Sequence, residues 1–513
     1  MYRPPYERDA KVSNLGDIID PTAPADRPWV IDVAADGTAI RLSYGEARAQ
    51  IDAVARGLSR RGLARGGSVG ILAANRAETL IVYFAIMRAG FVAVPINHKL
   101  PREVIEHIVK DSAIALMYAD AERAAMVPAG LPVIPLDANT AAWRDQLDPG
   151  PFTAVAMQPD EVATILYTSG STGMPKGVPL LHGPYVWMTG QYASLRPVLE
   201  GKAAIVAAPL FHMNALFFSK VIVRVGATNV LLRQFTGRAY IEAIDRYRVA
   251  MLTSVPTMLA LAVREREALA RADLSCVTFV YTGSAPLTQA LADAVRATFP
   301  GAEFANGYGT TESGPGAFGP HPEGRKRPDT ALGYPLPFVE VKLVGGATPD
   351  EGVMHIRAPT MMPGYLNLAQ KTADKLNDGW YDSGDVMRRD TDGFFHFVGR
   401  ADDMFVCGGE NIYPGEVEKM LERHAMVHQA SVVPVGDEIK GEVPVAFVVG
   451  RKGTAPSEAD IKQYALANGP AYAHPRRVVF LPELPLAGTN KIDRKALLTR
   501  ARDMFPNGVR EGR

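Results

Sequence analysis

From Ser43 to Arg61 (SYGEARAQIDAVARGLSRR) apolar residues return at helical spacing, and the next apolar run, Ser68 to Ala73 (SVGILA), is short and unbroken, as in a buried strand. Leu80 to Met87 reads as a second helix, Val92 to Ile96 as a second strand, and Pro101 to Asp111 as a third helix. The rhythm continues through Ala204–Ala208 (AIVAA), the helix-spaced Ala239–Arg248, and the strand-like Met251–Ser254 and Val277–Tyr281 (VTFVY). Such alternation predicts crossover units on mostly parallel sheets. Between Gly333 and Gly399 the texture changes to short strands with Gly, Pro and Asp turns. Phe338 to Val344 alternates there, and Phe394–Val398 (FFHFV) follows the turn Thr391-Asp392-Gly393. Beyond about residue 400 an α+β unit is predicted, with a helix over Tyr413–His424, strands over Gln429–Val435 and Val443–Val449, and a loose tail after Met504.

A chain of 513 residues is too long for one growing core, so at least two domains are expected, here 1–400 and 401–513. Its hydrophobic fraction of 47% leaves ample material for those cores. Lysine plus arginine equals aspartate plus glutamate at 55 each, which gives no bulk attraction for nucleic acid or an anionic membrane. Cys276 and Cys407 have no paired spacing, so neither a disulfide framework nor a cysteine zinc site is expected. The best apolar stretch, Thr79 to Ile96, is interrupted by Arg88 and its halves are too short to span a bilayer. The start, Met1-Tyr2-Arg3-Pro4-Pro5, lacks the layout of a secretory signal. A soluble, cytoplasmic protein is the expectation.

The strand-like Val162–Tyr167 runs into Thr168-Ser169-Gly170-Ser171-Thr172-Gly173-Met174-Pro175-Lys176-Gly177. Hydroxyls and glycines at this density let N–H and O–H donors surround phosphate oxygens, and Lys176 adds a point charge. The Walker spacing is absent. By composition alone the same stretch also reads as a flexible surface loop. With its flanks, however, Tyr167 to Gly177 resembles the signature of the adenylate-forming superfamily: acyl- and aryl-CoA synthetases, luciferases and peptide-synthetase adenylation domains.

Further stretches carry the resemblance in family order. Tyr308-Gly309-Thr310-Thr311-Glu312 is similar to the segment whose tyrosine stacks on adenine, whose threonine holds the α-phosphate and whose glutamate ligates Mg²⁺; Asn306 and Gly307 precede it. Gly283-Ser284-Ala285-Pro286 resembles the adenine-edge turn. Tyr381-Asp382-Ser383-Gly384-Asp385 implies that Asp385 accepts from the ribose hydroxyls, with Arg400 as a second ribose contact. Asp402 matches the hinge residue of the family, and Gly408-Gly409 the loop lining the thiol tunnel. Cys407 stands where relatives carry serine, threonine or arginine, and reads as a small buried residue. Lys491, in Gly488-Thr489-Asn490-Lys491, occupies the place of the catalytic lysine, although Asn490 replaces a common glycine. His212, in Pro209-Leu210-Phe211-His212-Met213-Asn214, matches a gate of the carboxylate pocket. Gly352-Val353-Met354 departs from the usual Gly-Glu-Leu strand entry.

The resemblance implies a large N-terminal domain of stacked α/β sheets with a small β-barrel-like subdomain, followed by a small mobile α+β domain. It implies an acid–thiol ligase using ATP, Mg²⁺ and coenzyme A, with Lys491, His212, Thr311 and Glu312 at the chemistry. The acyl pocket draws on Trp187, His212, Met213, Asn214, Tyr281, Gly307, Gly314 and Pro315, and its segments, Trp187–Tyr192, His212–Phe218, Tyr281–Ser284, Asn306–Gly307 and Ser313–Ala317, hold no arginine for a second carboxylate. An aromatic or other compact apolar monocarboxylate is the first expectation. A medium-chain fatty acid, or an acyl carrier protein in place of CoA, is the alternative. Relatives often form homodimers, a state this sequence leaves open.

Overall fold

Ser43 accepts from the Glu46 amide at 3.2 Å while Glu46 accepts from the Ser43 amide at 2.8 Å, a reciprocal cap that starts helix Tyr44–Ser59. The predicted second helix is Ala77–Arg88, and every residue in it except Arg88 is buried. It touches strand Pro28–Val33 of one sheet and strands Ser68–Leu72 and Val92–Pro95 of another, so it has no polar face to present. With 12 residues it is a core helix. Among the described residues no helix is long and apolar enough to cross a membrane. The computed structural model describes residues 13–168, 174–194, 199–408, 410–437, 439–487, 492–506 and 508–509.

Two large sheets flank that helix. One has seven strands in the order Glu303–Gly307, Phe279–Gly283, Val249–Ser254, Ala203–Val206, Thr228–Leu232, Pro28–Val33 and Ala39–Ser43. All its pairs are parallel except the last, and Val30 lies opposite Asn229. The other has six, in the order Val133–Pro135, Ile114–Ala119, Ser68–Leu72, Val92–Pro95, Val162–Thr168 and Lys176–Leu181, again with only the final pair antiparallel. One continuous hydrophobic core joins their facing sides.

The Gly/Pro/Asp-rich stretch folds as an antiparallel sheet of Glu340–Val344, Glu351–Arg357, Trp380–Arg389 and Leu376–Asn377, with Phe395–Arg400 also on Trp380–Arg389. Gly352-Val353-Met354 sits inside a strand paired on both sides, and its register against Trp380–Arg389 shifts between Val353 and His355. After residue 400, strands Phe405–Cys407, Glu410–Ile412, Val427–Asp437, Gly441–Gly450 and Arg477–Phe480 pack with helices Pro414–Leu421, Glu458–Asn468 and Arg494–Met504 around a second core. Cys407 is buried in it, as its small size suggests. Lys419 Nζ donates to the Phe397 carbonyl (2.8 Å) across the junction with the antiparallel sheet.

Two sequence expectations need correction. The tail after Met504 is not loose at Val509, which is buried and donates its amide to the Gly436 carbonyl at 3.2 Å; an apolar side chain found a place on the second core. The helix expected over Ala239–Arg248 is Gly237–Arg246, because Thr236 caps it two residues early and Arg248 takes a positive φ of 50°.

Lys220, on helix Met213–Arg224, is 2% exposed and donates to the Tyr83 hydroxyl at 2.9 Å. Burial pushes its ammonium down to about 7 from its ordinary 10.5. Between those values the unfolded chain holds a proton the folded one lacks, so this group makes stability rise with pH from 7 to 10.5 and costs most below 7. Lys220→Met should therefore raise the melting temperature at pH 7, with the gain shrinking toward pH 10; a gain independent of pH in thermal melts would contradict this account.

Candidate active site

The carboxyl ends of strands Ala203–Val206, Phe279–Gly283 and Glu303–Gly307 in the seven-stranded sheet carry three of the predicted segments, where open α/β sheets bind ligands. Strands Phe279–Gly283 and Glu303–Gly307 run side by side and end with Gly283 opposite Gly307. Ser284 then takes a positive φ of 67° and turns the chain toward Ala285 and Pro286. Asn306 is buried and donates to the Thr330 carbonyl at 3.1 Å, and its Oδ1 has no hydrogen-bond partner among the described residues.

Tyr308 follows at the strand end, and its hydroxyl donates to Asp385 Oδ2 from the antiparallel sheet. The other oxygen of Asp385 accepts from Arg400 Nη1 at 2.9 Å. Arg400 also donates to Asp402 (2.9 Å) and to the Ser383 carbonyl (3.1 Å). Burial pushes the Asp385 carboxyl up, against the pull of Arg400 and Tyr308. The result is an aromatic ring beside a buried, bidentate-capable acceptor and a guanidinium.

Four residues further along the same loop, Glu312 is buried, and its Oε1 accepts from the Tyr365 hydroxyl at 3.0 Å and the Thr168 hydroxyl at 3.4 Å. Lys176 Nζ lies 4.3 Å from the Tyr365 ring centre and donates to its hydroxyl at 3.3 Å. Burial lowers the lysine's pKa, and Lys375, Lys371 and Arg400 push the same way, with Glu312 opposing. Lys375 is itself paired with Asp382 at 3.0 Å, and Arg400 with Asp385 and Asp402, so cations and anions are interleaved here. Thr310 and Ser313 share a hydroxyl–hydroxyl contact at 2.9 Å, and a bridge from Thr310 to Gly314 shapes the loop around Thr311 and Glu312.

On the other side of the loop are aromatics. Tyr281 packs on Phe218 (4.7 Å between ring centres), and Tyr192 on Phe217 (4.9 Å). A side-chain carbon on Gly307 would fall 1.9 Å from the Tyr281 hydroxyl, and one on Gly316 would fall 1.9 Å from that of Tyr192. Each phenol lies against bare backbone. His212 stands at the start of helix Met213–Arg224, its ring 4.5 Å from Phe211, followed by Met213 and Asn214; Asn214 Oδ1 is buried with no hydrogen-bond partner among the described residues. Trp187 packs edge-on against Phe338 at 4.8 Å. Gly314 and Pro315 close the loop toward Gly309, where an added carbon would strike both.

The structure therefore brings Thr168, Lys176, Glu312, Tyr308, Asp385 and Arg400 into one connected arrangement. Ser169, Gly170, Ser171, Thr172, Gly173, Gly409 and Lys491 lie outside the described residues. Gly408 takes a positive φ of 61° after strand Phe405–Cys407. Sequence reasoning missed Tyr365, Lys371, Lys375 and Arg327. The last is half-buried, donates to the Phe304 carbonyl at 2.8 Å and interacts electrostatically with Tyr281, so a guanidinium does stand behind the aromatic side. Only Met361-Met362-Pro363-Gly364-Tyr365, directly before the lysine-bearing helix Ala369–Lys375, offered a signal.

The sequence profile of the AMP-binding enzymes matches residues 21–366, and that of their C-terminal domain matches residues 416–491. The chain belongs to the AMP-binding enzyme family. A feruloyl-CoA synthase from an Amycolatopsis species is 34% identical to this AMP-binding enzyme over 471 residues, which span 91% of this chain and 94% of that protein. A fatty acid–[acyl-carrier-protein] ligase from Streptomyces coeruleorubidus is 31% identical, over 90% and 91% of the two chains. The crystal structure of the anthranilate CoA ligase AuaEII with anthranoyl-AMP superimposes with a TM-score of 0.84 at 26% identity, covering 95% of this chain and 97% of that one. The family is that of the AMP-forming acid–CoA ligases.

Asp385→Asn keeps the shape of the side chain but removes the charge that Arg400 and Tyr308 address. It should weaken AMP binding roughly 10- to 100-fold by calorimetry, the range for a lost hydrogen bond to a charged group. Unchanged affinity would place the nucleotide elsewhere.

Proposed function

We propose that this chain is an ATP-dependent carboxylate–CoA ligase that forms an acyl-adenylate, releasing pyrophosphate, and then an acyl-CoA, releasing AMP. The observation that carries this reading is the loop Tyr308–Gly316. One end of it meets a ribose-type pair, the acceptor Asp385 and the donor Arg400, and its middle meets the phosphate-type group of Glu312, Thr168 and Lys176. Gly283 to Pro286 edge the adenine beside Tyr308, whose ring stacks on it.

The substrate carboxylate attacks the α-phosphorus in line with the leaving pyrophosphate. Such chemistry needs positioning and charge stabilisation more than a covalent nucleophile. Thr311 holds the α-phosphate, and the hydroxyl-rich loop from Thr168 with Lys176 holds the departing phosphates. Lys491 bridges carboxylate and α-phosphate oxygens. Glu312 suits Mg²⁺: among the described residues there is no cluster of three or more potential metal-ligating side chains, and a single carboxylate fits an ion that takes most of its ligands from phosphate and water. That ion would neutralise charge on the phosphates.

For the second step we place a hinge at Asp402, between a domain ending near residue 400 and one beginning at 401. Rotation about it exchanges Lys491 for the Gly408-Gly409 face, past which the CoA thiol reaches the adenylate. The ion pair of Asp402 with Arg400, at 2.9 Å, ties that hinge to the ribose site.

His212, Met213 and Asn214 with Trp187 and Tyr281 form the acyl side. The phenols of Tyr281 and Tyr192 against Gly307 and Gly316 favour a flat, compact aromatic acid over a straight alkyl chain, which would need a longer channel. The matching relatives include a feruloyl-CoA synthase, which supports the aryl reading, and a carrier-protein ligase, which keeps a carrier acceptor as the second reading.

Two measurements test the proposal. Lys491→Ala should abolish adenylate formation, seen as pyrophosphate release, while sparing thioester formation from supplied acyl-adenylate; equal losses in both would remove the assigned role. A panel of carboxylates assayed for CoA-dependent AMP formation should favour compact aryl acids over octanoate. Pyrophosphate release that depends on hydroxylamine and ignores CoA would instead favour the carrier acceptor.

A further inference from the structure

The segment from Thr360 to Leu366 belongs to no motif used above, yet it is bonded to both halves of the phosphate-type site. Thr360 Oγ1 donates to the Ser313 carbonyl at 2.9 Å, and the Met362 amide to the Glu312 carbonyl at 2.8 Å. The Leu366 amide donates to the Gly177 carbonyl at 2.9 Å, on the strand that begins with Lys176. The Tyr365 amide donates to Thr372 Oγ1 at 2.9 Å, on the helix that carries Lys371 and Lys375. Four anchors thus run from one strap to the Glu312 loop, the Lys176 hairpin and the lysine helix.

At its centre Tyr365, 6% exposed, has one proton to give and lone pairs to receive. It gives the proton to Glu312 at 3.0 Å and receives from Lys176 at 3.3 Å, with the ammonium also over the ring face. A carboxylate and an ammonium in direct contact would cancel each other. With a phenol between them each keeps its charge for a ligand. Tyr381 backs the Tyr365 hydroxyl from the strand that also holds Asp385.

Resting on the ligase reading above, we propose that Tyr365 is a positioning residue that sets the orientation of Glu312 and its separation from Lys176. It does not touch the reacting atoms. It fixes where a carboxylate and an ammonium stand when a metal-bound triphosphate arrives.

The test uses the full-length protein with Mn²⁺ as the probe and α,β-methylene-ATP, which cannot release pyrophosphate. Mn²⁺ binding is followed by electron paramagnetic resonance. Tyr365→Phe removes one oxygen and keeps the ring, and it should weaken Mn²⁺ binding by about tenfold or more, the scale for losing a group that orients a metal ligand. Thioester formation from supplied acyl-adenylate should stay at the wild-type rate, and added Mg²⁺ should restore adenylation. Thr360→Val, which loosens the strap at another anchor, should move the Mn²⁺ constant in the same direction. Unchanged Mn²⁺ affinity in both variants, or equal loss in the two half-reactions of Tyr365→Phe, would overturn the assignment while leaving the ligase reading intact. A wild-type protein that binds no Mn²⁺ with the nucleotide would overturn both.

Discussion

A single buried carboxylate holds the architecture of the site together. Asp385 sits on the antiparallel sheet and takes one hydrogen bond from Tyr308, at the end of a strand in the seven-stranded sheet, and one from Arg400, at the end of the antiparallel sheet. An ionised group so enclosed is costly unless both partners stay in place. Two sheets are therefore held to one geometry by the need to keep one charge satisfied. Arg400 passes the constraint on to Asp402 and so to the start of the C-terminal unit.

Much of this was legible in the chain before any coordinates. Local features read well because their causes are local: the Ser43/Glu46 cap, the helix-spaced faces, and the apolar strands buried in parallel sheets. The family motifs read well because each packs its chemistry into a few consecutive residues. Tyr365 and Arg327 did not read at all. A tyrosine or arginine is an ordinary residue until the fold sets its polar end against Glu312 or Tyr281, and no spacing along the chain encodes those meetings. Val509 was misjudged for the same reason: its burial depends on Gly436, in a strand more than one element away.

Overall neutrality also says nothing of where charges meet. The chain has 55 basic and 55 acidic residues, and Lys176 lies near Lys371, Lys375 and Arg400, of which Lys375 is paired with Asp382 and Arg400 with Asp385 and Asp402. The lysines belong to a strand and a helix that are far apart in sequence, and the strap from Thr360 to Leu366 is hydrogen-bonded to both.

The strand Pro28–Val33 has a further consequence, for biosynthesis. Its parallel neighbour is Thr228–Leu232, with Val30 opposite Asn229 roughly 200 residues later. At about 5–20 residues per second, that interval is on the order of 10–40 s of ribosomal elongation. Throughout it, the run Pro28-Trp29-Val30-Ile31-Asp32-Val33 has emerged without the strand that will flank it, and can pair only with its hairpin partner Ala39–Ser43. The nascent chain thus carries an apolar sheet edge until almost half of it has been made, a demand on chaperones that the finished fold no longer displays.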